Sequence, residues 1–232
     1  MQRTSSPTSD EPSNGFRPLP AAAWSLLAAA FVVLGFVGQR ASDGNQSDVF
    51  YDYSFAVGTV VIYAVLIGLT FGIGAAYRRP VEAMGLRRFE WRWVGIAIAL
   101  ILVVLIVASV LEPFLHGGRE QGLSPERWQP EHAGAYALNG VVVSTIVPFT
   151  EELFFRGLGV RALQFIGGVG AVVVTALAFG LSHGILGALP PLLLFGLALG
   201  WVRLRSNSVW PGVLAHGFYN GVAILIVYAE LA

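Results

Sequence analysis

The chain contains no cysteine and no lysine in its 232 residues. The lack of cysteine excludes disulfides, thiolate metal sites and thiol nucleophiles, so any chemistry must use Ser, Thr, His or carboxylate groups. The lack of lysine excludes a Schiff-base or P-loop lysine. Charged residues of all kinds make up only 12% of the chain, and 14 arginines balance 14 acidic residues. A net charge of zero gives no basic field over the surface, so nucleic acid is not an expected partner.

Apolar sequence is what the chain has in excess. Hydrophobic residues make up 55% of it and the mean hydropathy is +0.68, values that argue against a soluble globule. We expect residues 1–18 to form a disordered cytoplasmic tail, because they carry Pro, Ser, Thr and charges but little apolar surface. After this tail, apolar runs of about 20 residues alternate with polar, Pro or Gly breaks, which is typical of helices that cross a bilayer.

The predicted fold class is therefore all-α, a polytopic transmembrane helical bundle of about seven spans. The first run is too long, and its tail too polar, for a secretory signal, so we expect an uncleaved helix. The short sixth span is flanked by two prolines, which leaves the number of spans open by one. The predicted spans are residues 19–38, 54–77, 93–111, 134–164, 171–187, 191–204 and 209–229.

Arginine is distributed unevenly over the loops, which indicates the orientation of the bundle. With the amino terminus placed inside, eleven arginines fall on the cytoplasmic side and three outside. Cytoplasmic loops of membrane proteins collect cations in this way. We therefore predict a multi-pass protein of a plasma membrane with its N-terminus inside. The lipid bilayer is the partner that composition indicates, and the sequence leaves the oligomeric state open.

Three groups of polar residues lie inside apolar runs, where each charge costs roughly 2.5 to 3.5 kcal/mol unless it has a partner, a wet cavity or a function. The first group contains Glu151, Glu152 and Arg156. Glu152 and Arg156 stand four residues apart on one helical face and are expected to pair, whereas Glu151 is turned about 100 degrees away and stays free. The other two groups are His183, and His216 with Asn220.

Residue spacing places the three groups at a similar depth. We take Arg161 and Trp210 to mark the cytoplasmic interface. Counting from Arg161 puts Glu151 roughly 15 Å into the membrane, and counting from Trp210 puts His216 roughly 9 Å into it. Glu152 and His183 lie at equal distances from the turn at residues 167–170, so an antiparallel hairpin would set them level. We therefore expect one shared site below the cytoplasmic surface.

A free carboxylate, two imidazoles and a carboxamide around one cavity are suited to activating water. On this interpretation Glu151 is the general base, and the histidines and Asn220 donate hydrogen bonds to a developing oxyanion. Hydrolysis is then the natural reaction class. The residues leave a second mechanism open, in which Glu151, His183 and His216 hold a divalent metal such as zinc. The HExxH spacing of zincins does not occur in the sequence.

The ordered set of motifs resembles the CPBP or ABI family, which contains the type II CAAX prenyl endopeptidases and bacteriocin-processing relatives. The motifs are Glu151-Glu152-x-x-x-Arg156, Phe179-x-x-x-His183 and His216-x-x-x-Asn220, all in predicted transmembrane segments. The resemblance covers residues 134–229. It implies an intramembrane endopeptidase in which Glu151 activates water, Glu152 pairs with Arg156, and the histidines and asparagine complete the site. Its usual label, metalloprotease, implies a metal whose role is contested.

The resemblance also divides the chain and suggests a kind of substrate. Residues 134–232 would be the catalytic transmembrane core, and residues 19–133 would be N-terminal scaffold helices of the same bundle. The substrate would be a membrane-associated or lipidated protein or peptide. The lysine-free, Ala- and Gly-rich composition indicates a bacterial plasma membrane, where prenylated CAAX proteins are not expected, so the identity of the substrate stays open.

Two other functions remain as alternatives. A single histidine in an apolar helix usually makes an interhelical hydrogen bond, so the motifs could serve packing alone. The protein would then be a non-catalytic membrane scaffold or a bacteriocin-immunity protein, and would tolerate the loss of His183. A proton-coupled transporter that uses Glu151 and the histidines as a relay is the third possibility. It ranks last because the sequence contains no visible internal repeat.

Overall fold

The computed structural model describes residues 17–41, 49–115 and 127–231, and these form helices, turns and loops without any strand. The predicted all-α membrane bundle is confirmed. The predicted tail, residues 1–18, falls outside the described residues except for its last two. Of these, Arg17 precedes the first helix, and Pro18 begins it.

The helices are numbered here along the chain. They are α1 (Pro18–Ala41), α2 (Tyr53–Gly74), the short α3 (Pro80–Ala83), α4 (Arg92–Leu115), α5 (Ala133–Glu151), a π-helix (Glu152–Gly159), α6 (Val160–Ala162), α7 (Gly168–Ser182), α8 (Leu189–Ser206) and α9 (Trp210–Leu231). Single 3₁₀ turns occupy Val49–Tyr51, Pro130–His132 and Gln164–Ile166.

Five segments of the described chain are long and apolar enough to cross a membrane. They are Pro18–Ala41, Tyr53–Gly74, Arg92–Leu111, Pro130–Ala162 and Trp210–Leu231. The two remaining predicted spans, residues 171–187 and 191–204, correspond to the shorter apolar helix α7 and to α8. The chain is therefore a multi-pass helical protein. Its helices α7 and α8 pack against each other and are shorter than the other long helices.

Helix ends follow from local chemistry in several places. Asp52 precedes α2, and its carboxylate accepts a hydrogen bond of 2.8 Å from the backbone N–H of Ser54. This bond also lowers the pKa of the Asp52 carboxyl below its ordinary value. At the other end of the fold, α8 stops where Asn207 adopts the left-handed conformation, with φ of 55°, which asparagine tolerates better than most residues.

The seven longest described helices form a closed ring. Neighbours contact one another in the order α1, α7, α8, α4, α9, α5, α2 and back to α1. Large apolar side chains are exposed on the outer faces of these helices, for example Leu26, Val61, Ile106 and Leu225. A surface of this kind is suited to lipid contact. Polar groups that must avoid lipid are therefore directed toward the middle of the ring.

The helix that carries the acidic motif changes its winding within the membrane. Pro148 has no N–H, so the carbonyl of Ser144 loses its donor in α5. Gly217 of α9 lies against this carbonyl, and a Cβ at that position would come within 2.6 Å of the oxygen. The eight residues that follow α5, Glu152–Gly159, are all buried and form the π-helix. The sequence predicted one continuous helix over residues 134–164, because helix propensity and apolar length do not distinguish π from α winding.

Candidate active site

Glu151 is the last residue of α5, and its carboxylate reaches the centre of the ring. One oxygen, Oε1, accepts a hydrogen bond of 2.8 Å from the hydroxyl of Tyr63 in α2. The other, Oε2, lies 3.9 Å from Nε2 of His216 in α9, too far for a direct hydrogen bond. No cation is closer to this carboxylate among the ion pairs of the described residues. Glu151 is thus the carboxylate that the sequence predicted to lack an arginine partner.

Glu152 is turned away from the ring's centre and is sealed inside the protein. Its Oε1 lies 3.0 Å from Nη1 of Arg156, and both side chains are only 1% exposed. The N–H of Nη1 is not aligned for a hydrogen bond, so the contact is an ion pair held by distance rather than direction. The guanidinium also lies 4.2 Å over the ring of Phe179, which stabilises a buried cation. The two adjacent glutamates therefore have different surroundings.

His216 connects these two carboxylates. Its Nδ1 lies 3.2 Å from Oε1 of Glu152. Because a carboxylate only accepts, the proton is assigned to Nδ1, and the lone pair of Nε2 then points toward Glu151. The imidazole is held from the side by Phe195, whose ring centre is 4.9 Å away in an edge-to-face contact. One nitrogen is thus fixed by Glu152, and the other is available to a reactant.

His183 follows the last residue of α7 and is held by the backbone. Its Nδ1 lies 2.9 Å from the carbonyl oxygen of Phe179, which again assigns the proton to Nδ1 and leaves Nε2 available. The chain turns at Gly184, where φ is +73°. Gly35 of α1 packs directly on this turn, because a Cβ there would lie 2.1 Å from the carbonyl oxygen of Ser182. The position of His183 therefore depends on close backbone contact with α1.

Asn220 lies one turn beyond His216 on α9 and ties that helix to α5. Its Nδ2 donates a hydrogen bond of 2.9 Å to the carbonyl of Val143. The sequence predicted that this amide would donate to an oxyanion. One of its N–H groups is instead used between helices, while the side chain remains on the wall of the central cavity.

A single cavity of about 650 Å³ occupies the middle of the ring, and all seven long helices contribute to its wall. Of the six predicted site residues, those that reach the wall are Glu151, His183, His216 and Asn220, and those behind it are Glu152 and Arg156. Along α5 the cavity runs from Glu151 to Tyr136, roughly 22 Å at the helical rise. Apart from the site residues, its lining is mostly apolar. This shape suits an extended ligand with an apolar chain.

A metal ion held by Glu151, His183 and His216 stays a prediction. Within residues 17–41, 49–115 and 127–231, no three His, Asp or Glu side chains are grouped so that they could hold one. The residues that the sequence suggested as ligands, Glu151, His183 and His216, share the cavity wall but do not converge as a triad. Both histidines use Nδ1, for a backbone carbonyl and for Glu152, so Nε2 is the nitrogen that each could offer to a ligand.

Sequence reasoning missed two contacts from the helices before residue 133. Tyr63 contacts Glu151, and the indole N–H of Trp24 donates to the carbonyl of Phe154 in the π-helix at 3.0 Å. Tyrosine and tryptophan are common in apolar helices, so neither residue stands out in the sequence as a charged residue does. Only the packing of α1 and α2 on the acidic motif identifies them.

Residues 133–222 match the family described as "Type II CAAX prenyl endopeptidase Rce1-like". This matched segment contains all six predicted site residues, and it confirms the resemblance that the motifs indicated. No curated protein and no solved structure matches the chain.

Proposed function

We propose, from the membership of residues 133–222 in the type II CAAX prenyl endopeptidase Rce1-like family, that the protein hydrolyses a peptide bond within the membrane by means of water activated by Glu151. The family supports a CAAX-type intramembrane protease in general. The observation that carries the finer proposal is the shared cavity, in which Oε2 of Glu151 and Nε2 of His216 face each other 3.9 Å apart.

Water activation follows from the hydrogen-bonding character of these two atoms. Both Oε2 of Glu151 and the unprotonated Nε2 of His216 are acceptors. A water that donates one proton to each atom spans the gap between them, and its lone pairs then point away toward the cavity. In the proposed reaction Glu151 takes one of these protons as the oxygen adds to the carbonyl carbon of the peptide.

The second half of the reaction returns this proton to the leaving group. Addition of water gives a tetrahedral intermediate with a negative oxygen. The neutral His183 presents an acceptor at Nε2, so it stabilises that oxygen only in its protonated form, while the unused N–H of Asn220 can donate directly. When the C–N bond breaks, the proton held by Glu151 passes to the departing amine, and the products are a carboxylic acid, which keeps the second proton of the water, and a free amine. These steps use protein groups only.

The proposed substrate is a membrane-associated or lipidated protein or peptide. The long, mostly apolar cavity supports this class, because an extended hydrocarbon chain can lie along α5 while the scissile bond lies at Glu151.

We further propose that the protein is in a bacterial plasma membrane with the N-terminus inside. Since the chain has no cysteine, a cysteine introduced at the exposed Arg79 should react with an impermeant maleimide only from the cytoplasmic side. Reaction from the opposite side alone would contradict this orientation.

The test is cleavage of a quenched fluorogenic peptide with a farnesylated CAAX end by the purified protein in detergent. Glu151→Gln keeps the shape of the side chain but removes the base, so turnover should fall about 10²–10⁴-fold. Glu131→Gln is the matched control because Glu131 is exposed on the turn before α5, and its turnover should stay at the wild-type level. Full turnover by a folded Glu151→Gln protein would contradict the proposal.

Two further arms of the same assay separate the alternatives. Treatment with a chelator should leave turnover unchanged, whereas a loss that added zinc restores would show that the mechanism needs a metal. His183→Ala should reduce turnover strongly. A non-catalytic membrane scaffold becomes the better interpretation under two conditions. The wild-type protein does not cleave the peptide with or without zinc, and the His183→Ala protein has the same expression level and thermal stability as the wild type.

A further inference from the structure

The hydroxyl of Tyr63 is the closest hydrogen-bond donor to the proposed base. It lies 2.8 Å from Oε1 of Glu151, a normal distance for a hydrogen bond to a carboxylate. Tyr63 is in α2, outside the matched segment 133–222, and it also lines the central cavity. The helices before residue 133 therefore contribute a polar group to the site.

Ring packing also holds Tyr63 in place. Its ring meets that of Phe31 in α1 edge to face, with the centres 6.3 Å apart and the planes at 82°. The hydroxyl is therefore directed by the contact between α1 and α2, and this packing would remain if the oxygen were removed.

We propose that Tyr63 is a positioning residue that determines which oxygen of Glu151 reacts, an inference that rests on the proposed function. The hydroxyl donates to Oε1 and holds the carboxylate plane. Oε2 is then the oxygen that faces Nε2 of His216, and it is Oε2 that takes the proton from water. Without the hydroxyl, the carboxylate is free to rotate, and neither oxygen is then held at the distance from Nε2 of His216 that a bridging water can span.

The two histidines of the wall are held in the same manner. Nδ1 of His216 is fixed by Glu152, and Nδ1 of His183 is fixed by the carbonyl of Phe179. Each of these side chains thus has one atom bound to the protein behind it and one atom toward the cavity. Tyr63 performs this task for Glu151, whose two oxygens would otherwise be equivalent.

The kinetic test uses Tyr63→Phe, which removes only the hydroxyl. With the farnesylated CAAX peptide as the probe, kcat should fall about tenfold, the change expected for losing one hydrogen bond to a charged group, while KM stays within about twofold. Tyr51→Phe is the matched control. Its hydroxyl makes a bond of similar length, 2.9 Å, to the carbonyl of Arg127, away from Glu151, so kcat should not change. An unchanged kcat in Tyr63→Phe, or equal losses in both variants, would overturn the proposal.

A thermal cycle tests the contact without relying on turnover. The midpoint of unfolding in detergent is measured for the wild type, Tyr63→Phe, Glu151→Leu and the double variant. If the hydroxyl binds the carboxylate, the shift of the double variant is smaller than the sum of the two single shifts. Additive shifts would overturn the proposal. If the wild type fails to cleave the farnesylated peptide while the cycle is non-additive, a prenylated substrate is contradicted and the Tyr63–Glu151 contact is supported.

Discussion

The matched segment, residues 133–222, and the helices that precede it contribute different kinds of groups to the same site. The matched segment supplies every ionisable site residue, from Glu151 to His216. The earlier helices supply neutral contacts: the hydroxyl of Tyr63, the indole N–H of Trp24 and the backbone at Gly35. Reactive groups thus lie in one region, and the contacts that hold them in place come partly from the other.

This difference shows why a family match over part of a chain can describe the chemistry and still leave the site incomplete. The π-helix of the matched segment packs against residues from the earlier part of the chain. Trp24 lies on Gly159, where a Cβ would come within 2.7 Å of the indole, and the carbonyl of Met84 lies at the same distance from the Cβ position of Gly157. Loss of these contacts would leave all charged residues present but wrongly placed.

The largest expected effect belongs to the matched segment and concerns the sealed ion pair. Arg156→Met leaves the charge of Glu152 buried without a cation, so the free energy of unfolding should fall by about 3–5 kcal/mol. The double variant Glu152→Gln/Arg156→Met carries no such charge and should be more stable than the single variant. Denaturant titration in mild detergent measures both. If the double variant is the less stable of the two, the unpaired charge of Glu152 is not the cause of the loss of stability in Arg156→Met.

The next effect tests whether an early helix controls a group of the matched segment. In Gly35→Ala the new methyl group collides with the Ser182 carbonyl, and the turn that carries His183 must move. A misplacement of about 1 Å costs roughly 10² in rate, so cleavage should fall by that factor. Gly38→Ala is the control on the same helix, since its methyl group meets nothing within 4 Å. Equal activity of the two variants would show that the contact of α1 with the Ser182 carbonyl does not position His183.

The smallest effect concerns the hydrogen bond between α1 and the π-helix. Trp24→Phe leaves the Phe154 carbonyl without the indole donor and should lower the free energy of unfolding by about 1–2 kcal/mol. Trp91 is 73% exposed, so Trp91→Phe should change the same quantity by less than about 0.5 kcal/mol. A similar small change in both proteins would mean that the early helices do not stabilise the π-helix through this bond.

The sequence predicted the bundle and its reactive groups because both depend on strong local signals. Long apolar runs require helices in a membrane, and ionisable residues such as Glu152 and His216 are costly there, so their grouping in one place was a sound inference. The pairing of Glu152 with Arg156 followed from helical spacing and is present in the structure. Their catalytic roles stay predictions until they are measured.

Other features depend on contacts between distant parts of the chain, which spacing along one helix does not contain. The bond between Tyr63 and Glu151 joins residues 88 positions apart. Asn220 was expected to face a reactant with its amide, but the carbonyl of Val143 on the neighbouring helix competes for that donor. The π-helix was not predicted because no residue type within Glu152–Gly159 distinguishes π from α winding.

The closed ring also bears on how the protein is made. Helices enter the membrane in chain order, yet α1 has α7 as a neighbour and α4 lies between α8 and α9, which the ribosome produces later. The wall around Glu151 is complete only when α9 has brought in His216. Until α9 has been inserted, Glu151 therefore has no His216 opposite it, and the cavity is open on the side that α9 closes.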